Sequence, residues 1–180
     1  MYRMSLITMF APPSLSSEIN IPLCMKMALV HDMAEALVGD ITPMDGVPKH
    51  EKNRREETTM DYFTNSLLGK VNGGFTGKEI KDIWREYEDG ETLESKFVHD
   101  VDKFELVLQM VEYERAHELD LGDFSWVASR IVLPVVKEWA DEVLREREKF
   151  WGDRPHATYS TDAPPEDKSL AQKLEYYGKA

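Results

Sequence analysis

The sequence predicts an all-α protein on three observations. There is no run of alternating apolar and polar β-formers, apolar residues return at spacings of three and four through most of residues 1–151, and Pro or Gly marks the breaks between these stretches. The opening "MYRMSLITMF" reads as an apolar helix that stops at Pro12-Pro13. Asn20 can cap a second helix with Pro22 in its first turn and Gly39 at its end, its core stripe being Leu23, Met27, Val30, Ala34 and Leu37. After the loop "TPMDGVPK", a charged helix is predicted from about His50 to Leu68, with Met60, Phe63 and Leu67 on its buried side. Its "HEKNRREE" opening reads as a solvated, salt-bridged face. "VNGGFTG" is a loop, and Ile80, Ile83, Trp84 and Tyr87 mark a short helix after it. A long helix is expected from Thr92 to about Glu118, striped by Phe97, Val101, Phe104, Leu108 and Val111. Asp123 can cap a further helix, and Pro134 should kink that helix or restart the chain as a last one ending near Trp151. Beyond it the period is lost and Pro and polar residues accumulate, which predicts a flexible polar tail over 152–180.

At 180 residues the chain fits one domain, placed at residues 1–151, with enough length to bury an ordinary core. Its formal charge of −12 argues against nucleic acid and anionic membranes as partners, since both need clustered positive charge. A phosphate ligand would need a local cation. Cys24 has no intramolecular disulfide partner and lies in an apolar helical pattern, so it reads as a small core residue in a reducing, intracellular and cytoplasmic setting. No apolar run approaches the roughly 20 residues of a membrane helix, and no signal peptide is visible.

The segment "ALVHDMAEALVGD" carries the chemistry, because it sets a histidine and three carboxylates into an apolar helical pattern. On a regular helix Glu35 lies about 40° and Asp32 about 100° from His31, so the three share one arc. Imidazole and carboxylate converging there suit a divalent ion such as Mn, Fe, Co or Zn. Such an ion also offsets the several kcal/mol that each buried unpaired acid would otherwise cost. The alternative is that His31 is a hydrogen-bonded core histidine and Asp32, Glu35 and Asp40 are edge or cap residues. On the long helix His99, Asp100 and Asp102 all flank the stripe, and helical geometry does not choose among them.

The strings "HDMAEALVGDITP", "PKHEKNRREE" and "KFVHDVDKFELVLQ", in that order, resemble the HD-domain superfamily of metal-dependent phosphohydrolases, and within it the 5′-deoxynucleotidase subfamily. The resemblance spans about Met1 to Trp151 and implies an HD-domain bundle of about six helices. It implies a divalent cation, Mn, Co or Mg with Zn or Fe as further options, held by an early His, by His31 and Asp32, and by Asp102. His99 and Asp100 are then left as surface residues. Glu35 and Asp40 match acids that the family places beside the metal, where they can ligate a second cation or steer the attacking water, so they stand as both catalytic and metal-site candidates. Arg54, Arg55 and Glu56 match a charged motif of the subfamily, or remain a solvated face. The implied reaction is hydrolysis of dAMP, dCMP, dGMP or dTMP to deoxynucleoside and phosphate, by a homodimer. Other substrates open to such a site are a cyclic nucleotide or an alarmone. The early His is expected directly before "MYRM", with an Arg-Trp element further upstream. The expectation is therefore a shortened form of an active phosphohydrolase, the alternative being an impaired variant that serves as a binding or dimerisation partner.

Overall fold

The computed structural model describes residues 1–42 and 45–158. Among these residues every regular element is helical. The elements are α1 (Tyr2–Thr8), α2 (Pro13–Ser16), α3 (Ile21–Val30), α4 (Glu35–Val38), α5 (Lys49–Asp61), α6 (Phe75–Asp89), α7 (Leu93–His117) and α8 (Pro134–Trp151). A π-helical stretch, Tyr62–Leu67, continues α5, and 3-10 turns occupy Val71–Gly74 and Gly122–Arg130. The bundle is thus cut into more pieces than the six or so helices expected.

Helix α7 is the spine, and α1, α3, α6 and α8 pack around it. Its apolar face places Phe97, Val98, Val101 and Val107 at zero exposure beside Met4, Met27, Val136 and Ala140. Thr92 caps it by accepting the Ser95 N–H at 3.1 Å. Asn20 caps α3 in the same way, through the Leu23 N–H at 3.1 Å, and Pro134 stands in the first turn of α8, where its missing donor costs nothing. Cys24 is a free thiol at zero exposure, a small core residue as expected.

The second predicted helix does not run unbroken to Gly39. After Val30 the backbone tightens, with Met33 N–H bonding Val30 and Glu35 N–H bonding Asp32, each three residues back. The cause is local, because the His31 ring takes the Ala28 carbonyl that a regular helix would offer to Asp32. Rotated by this break, Leu37 stands out at 62 % exposure while Ala34 remains in a small second core with Met60 and Trp84. The π stretch has a like effect at the end of α5: Thr64 is buried and Leu67 is exposed, the reverse of the even helical stripe. Val107, and not Leu108, is the fully buried residue of that turn of α7. Asp123 caps no helix, since it lies inside a 3-10 turn.

Residues 152–158 are held down. Arg147, with no exposed surface, donates to the Ala157 carbonyl at 2.8 Å, and Asp120 accepts the Ala157 N–H at 2.6 Å. His156 stacks on Trp151 and bonds Glu148 at 2.9 Å. Gly122 allows this approach, since a Cβ there would lie 2.7 Å from both Ala157 and the Arg147 guanidinium. The start of the expected tail is therefore part of the body, and residues 159–180 lie outside the described residues.

Candidate metal centre

The broken turn after α3 and the middle of α7 meet at one point. His31 is buried, and its Nδ1 donates to the Ala28 carbonyl at 3.1 Å, a tautomer inferred from that bond. This leaves Nε2 facing outward, 2.8 Å from Asp32 Oδ2 and 3.8 Å from Asp102 Oδ1. Neither contact has hydrogen-bond geometry, so Nε2 is a buried polar atom without a hydrogen-bond partner. Two carboxylates directed at an imidazole lone pair call for a positive charge between them. The electrostatics agree: burial alone would lower the His31 pKa, yet Asp32 and Asp102 raise it, and His31 in turn holds Asp32 below the usual carboxylate range against burial. Asp102 is pushed up, first by loss of surrounding solvent and then by Asp32, although 47 % of its side chain remains exposed.

The charge of the Met1 amino group acts on both His31 and Asp32, so the start of α1 faces the same point. Among the described residues, no three His, Cys, Asp or Glu side chains stand at the distances of a complete metal cage. The Asp32 and Asp102 oxygens stand 2.8 and 3.8 Å from the His31 nitrogen. The donor set nonetheless fits a divalent cation, because the unpartnered Nε2 and two anionic oxygens are the ligand types that such ions take.

Glu35 lies beside this group. Three-residue turns eclipse side chains at i and i+3, which sets Glu35 over Asp32. Burial, then Asp32 and Asp40, push its pKa up to about 7. Asp40 is exposed on the far side of Gly39, whose φ of +80° turns the chain there. The structure thus brings His31, Asp32 and Asp102 together, sets Glu35 one turn away within reach of the Asp32 charge, and leaves Asp40 exposed at the rim.

His99 and Asp100 are not surface residues. Asp100 is 1 % exposed and accepts the Val132 and Leu133 N–H groups, at 3.0 and 2.6 Å, where the chain enters α8. His99 donates to the Tyr87 carbonyl at 2.9 Å and stacks on the Tyr87 ring. Burial pushes its pKa down to about 4, so it is neutral. Both are anchors, and Asp102, rotated off that face of α7, is the acid left for the site.

The "HEKNRREE" segment divides. Arg54 and Arg55 are exposed and both pair with Glu51, a solvated face as read. Glu56 is buried, 3.6 Å from Lys52 Nζ, and turns toward the site, where burial raises its pKa and Asp32 adds to the rise. Sequence reasoning missed Lys52 and also Tyr87, whose buried ring lies 4.9 Å from that of His31. The signal for Lys52 was its i,i+4 spacing to an acid; Tyr87 gave none beyond its place in an apolar stripe.

The fold and this site define the class. Residues 1–139 match the HD domain family model, and the chain belongs to that family. Its relatives narrow the class. It is 47 % identical to the 5′-deoxynucleotidase hdd1 of Schizosaccharomyces pombe over 84 % of this chain and 75 % of that one. It is 41 % identical to the 5′-deoxynucleotidase YBR242W of Saccharomyces cerevisiae, over 85 % of this chain and 63 % of that one. The solved structure of the HD domain-containing protein YGK1 superposes with a TM-score of 0.65 at 31 % identity, covering 84 % of this chain and 75 % of that one. Among the described residues no helix is long and apolar enough to cross a membrane.

Proposed function

We propose that this chain is a 5′-deoxynucleotidase that hydrolyses dAMP, dCMP, dGMP and dTMP to deoxynucleoside and phosphate inside the cell, with a divalent cation held by His31, Asp32 and Asp102. The observation that carries the reading is the buried His31 Nε2, without a hydrogen-bond partner and facing two carboxylates. The names of the relatives support the substrate class. When bound, such a cation lowers the pKa of its water and draws charge from the phosphoryl oxygens. Mn or Co is the cation we favour.

The chain's own residues supply the rest. His31, fixed through Ala28, presents one nitrogen in one orientation. Glu35, beside the His31, Asp32 and Asp102 group, accepts the proton of the attacking water and returns it to the departing 5′ oxygen as the phosphorus–oxygen bond breaks. Asp40, exposed at the rim, stands where a second cation or the sugar would enter. The active form is taken to be a homodimer, for which the exposed Tyr2, Met9 and Phe10 at α1 offer apolar surface.

The test is phosphate release from the four deoxynucleoside monophosphates with Mn, Co, Mg, Zn or Fe, using protein purified without chelator. Release that disappears in Asp102→Asn supports the reading. No release with any cation overturns it.

A further inference from the structure

The site described so far is built of acids, yet its substrate arrives as a phosphate dianion. Asp32, Glu35, Asp40, Glu56 and Asp102 all line or flank it, and a cation bound by two of them together with His31 leaves the other three to repel the incoming phosphate. Lys52 stands among these groups. Its side chain is 15 % exposed and its ammonium lies 3.6 Å from Glu56 Oε1, one turn further along α5. Glu56 is itself buried, so the tether is a fixed one. Helix α5 packs against α4, which begins at Glu35, and the ammonium charge acts on Asp32, Glu35 and, on α6, Glu88 as well as on Glu56.

We propose that Lys52 is the phosphate-contacting side chain of this site: its ammonium, tethered by the buried Glu56 carboxylate beside the His31, Asp32 and Asp102 group, receives the phosphate of the incoming nucleotide. The assignment rests on the nucleotidase reading and deepens it. A compact ammonium is a point charge that accommodates a phosphate without a fixed bidentate geometry, as a centre that must release inorganic phosphate requires. Glu56 acts through Lys52, as a positioning residue. A chain of charge −12 thereby offers a small anion a local positive site without a basic surface.

The test measures binding of inorganic phosphate to the Mn-loaded full chain by calorimetry, beside KM and kcat for dAMP. Lys52→Met is expected to weaken phosphate binding roughly tenfold or more and to raise KM by a like factor, with Mn content unchanged. Lys52→Arg is expected to retain most of the affinity. Should Lys52→Met fail to fold, Lys52→Gln, which keeps a donor toward Glu56, carries the same measurement. Wild-type phosphate affinity in the folded Met or Gln variant overturns the assignment, as does a wild-type chain that binds no phosphate. A wild type that binds phosphate but hydrolyses none of the four nucleotides sinks the nucleotidase reading instead, while the Lys52→Met comparison still decides the phosphate contact.

Discussion

Two clusters of charge on helix α7 are completed in different ways. Near its C-terminal end, Glu114 meets Arg147, both at zero exposure. The guanidinium donates to both Glu114 oxygens at 2.8 and 3.0 Å, to Asp120 at 3.0 Å and to the Ala157 carbonyl at 2.8 Å. Glu114 also accepts from Trp151 Nε1 at 3.0 Å and from the Leu121 N–H at 2.8 Å. Near the middle of the helix, the group around Asp102 ends on an imidazole nitrogen with no hydrogen-bond partner and on carboxylates that raise one another's pKa values. Both clusters bear the desolvation cost of burial, but only the first repays it from within the chain. The first therefore holds the fold, and the second leaves the unpartnered nitrogen on which the proposed cation site rests.

The comparison can be broken at either end. Arg147→Ala leaves Glu114 buried and unpaired and is expected to cost about 3–5 kcal/mol in denaturant unfolding, with activity per folded molecule little changed. An activity loss larger than the folded fraction explains would place Arg147 in the site. Asp102→Asn is expected to do the opposite: metal retention and phosphate release fall by about a hundredfold or more, while the chelated protein unfolds no more readily than wild type. Its neighbour Asp100→Ala should reverse that pattern, losing about 1–3 kcal/mol as two N–H groups at the entry to α8 lose their acceptor, with metal content retained. Gly122→Ala tests the satisfied cluster more gently, by forcing Ala157 and Arg147 apart at a cost of about 1–3 kcal/mol. A thermal melt that does not move would show that residues 152–158 contribute little.

The smallest expected effect is one of pH. In metal-free protein the folded pKa of Glu35, about 7, lies above its unfolded value near 4.5. The folded state then holds the proton more tightly, so the stabilising contribution is fully present below about 4.5 and is lost as pH rises through about 7. Glu35→Gln should flatten thermal stability over that window in the presence of a chelator. An unchanged slope would assign the pH response to other acids.

Much of this was legible along the chain. The stripe of α7 and its start near Thr92, the Asn20 cap and the restart at Pro134 follow from residue spacing and from local backbone chemistry that neighbours in sequence can satisfy. His31, Asp32 and Glu35 were legible as a polar group set in an apolar segment. What escaped were residues whose role depends on an element far away in sequence. Asp100 reads like Asp102 until α8 is laid against it, and Glu56 reads like Arg54 and Arg55 until α5 turns it inward. The break at His31 escaped because a side chain, and not a proline or glycine, takes the carbonyl there.

By itself, then, the sequence determined the helical class, the Asn20 cap, the breaks at proline and glycine, and the His31–Asp32 pair, since these depend on periodicity and on bonds reaching no more than four residues. Only the tertiary structure decided which acid of α7 approaches that pair, which charges are matched in the interior and which imidazole nitrogen is left without a hydrogen-bond partner. Those outcomes depend on the rotation of packed helices about one another, and on a low-dielectric interior in which an unmatched charge is costly enough to mark its position.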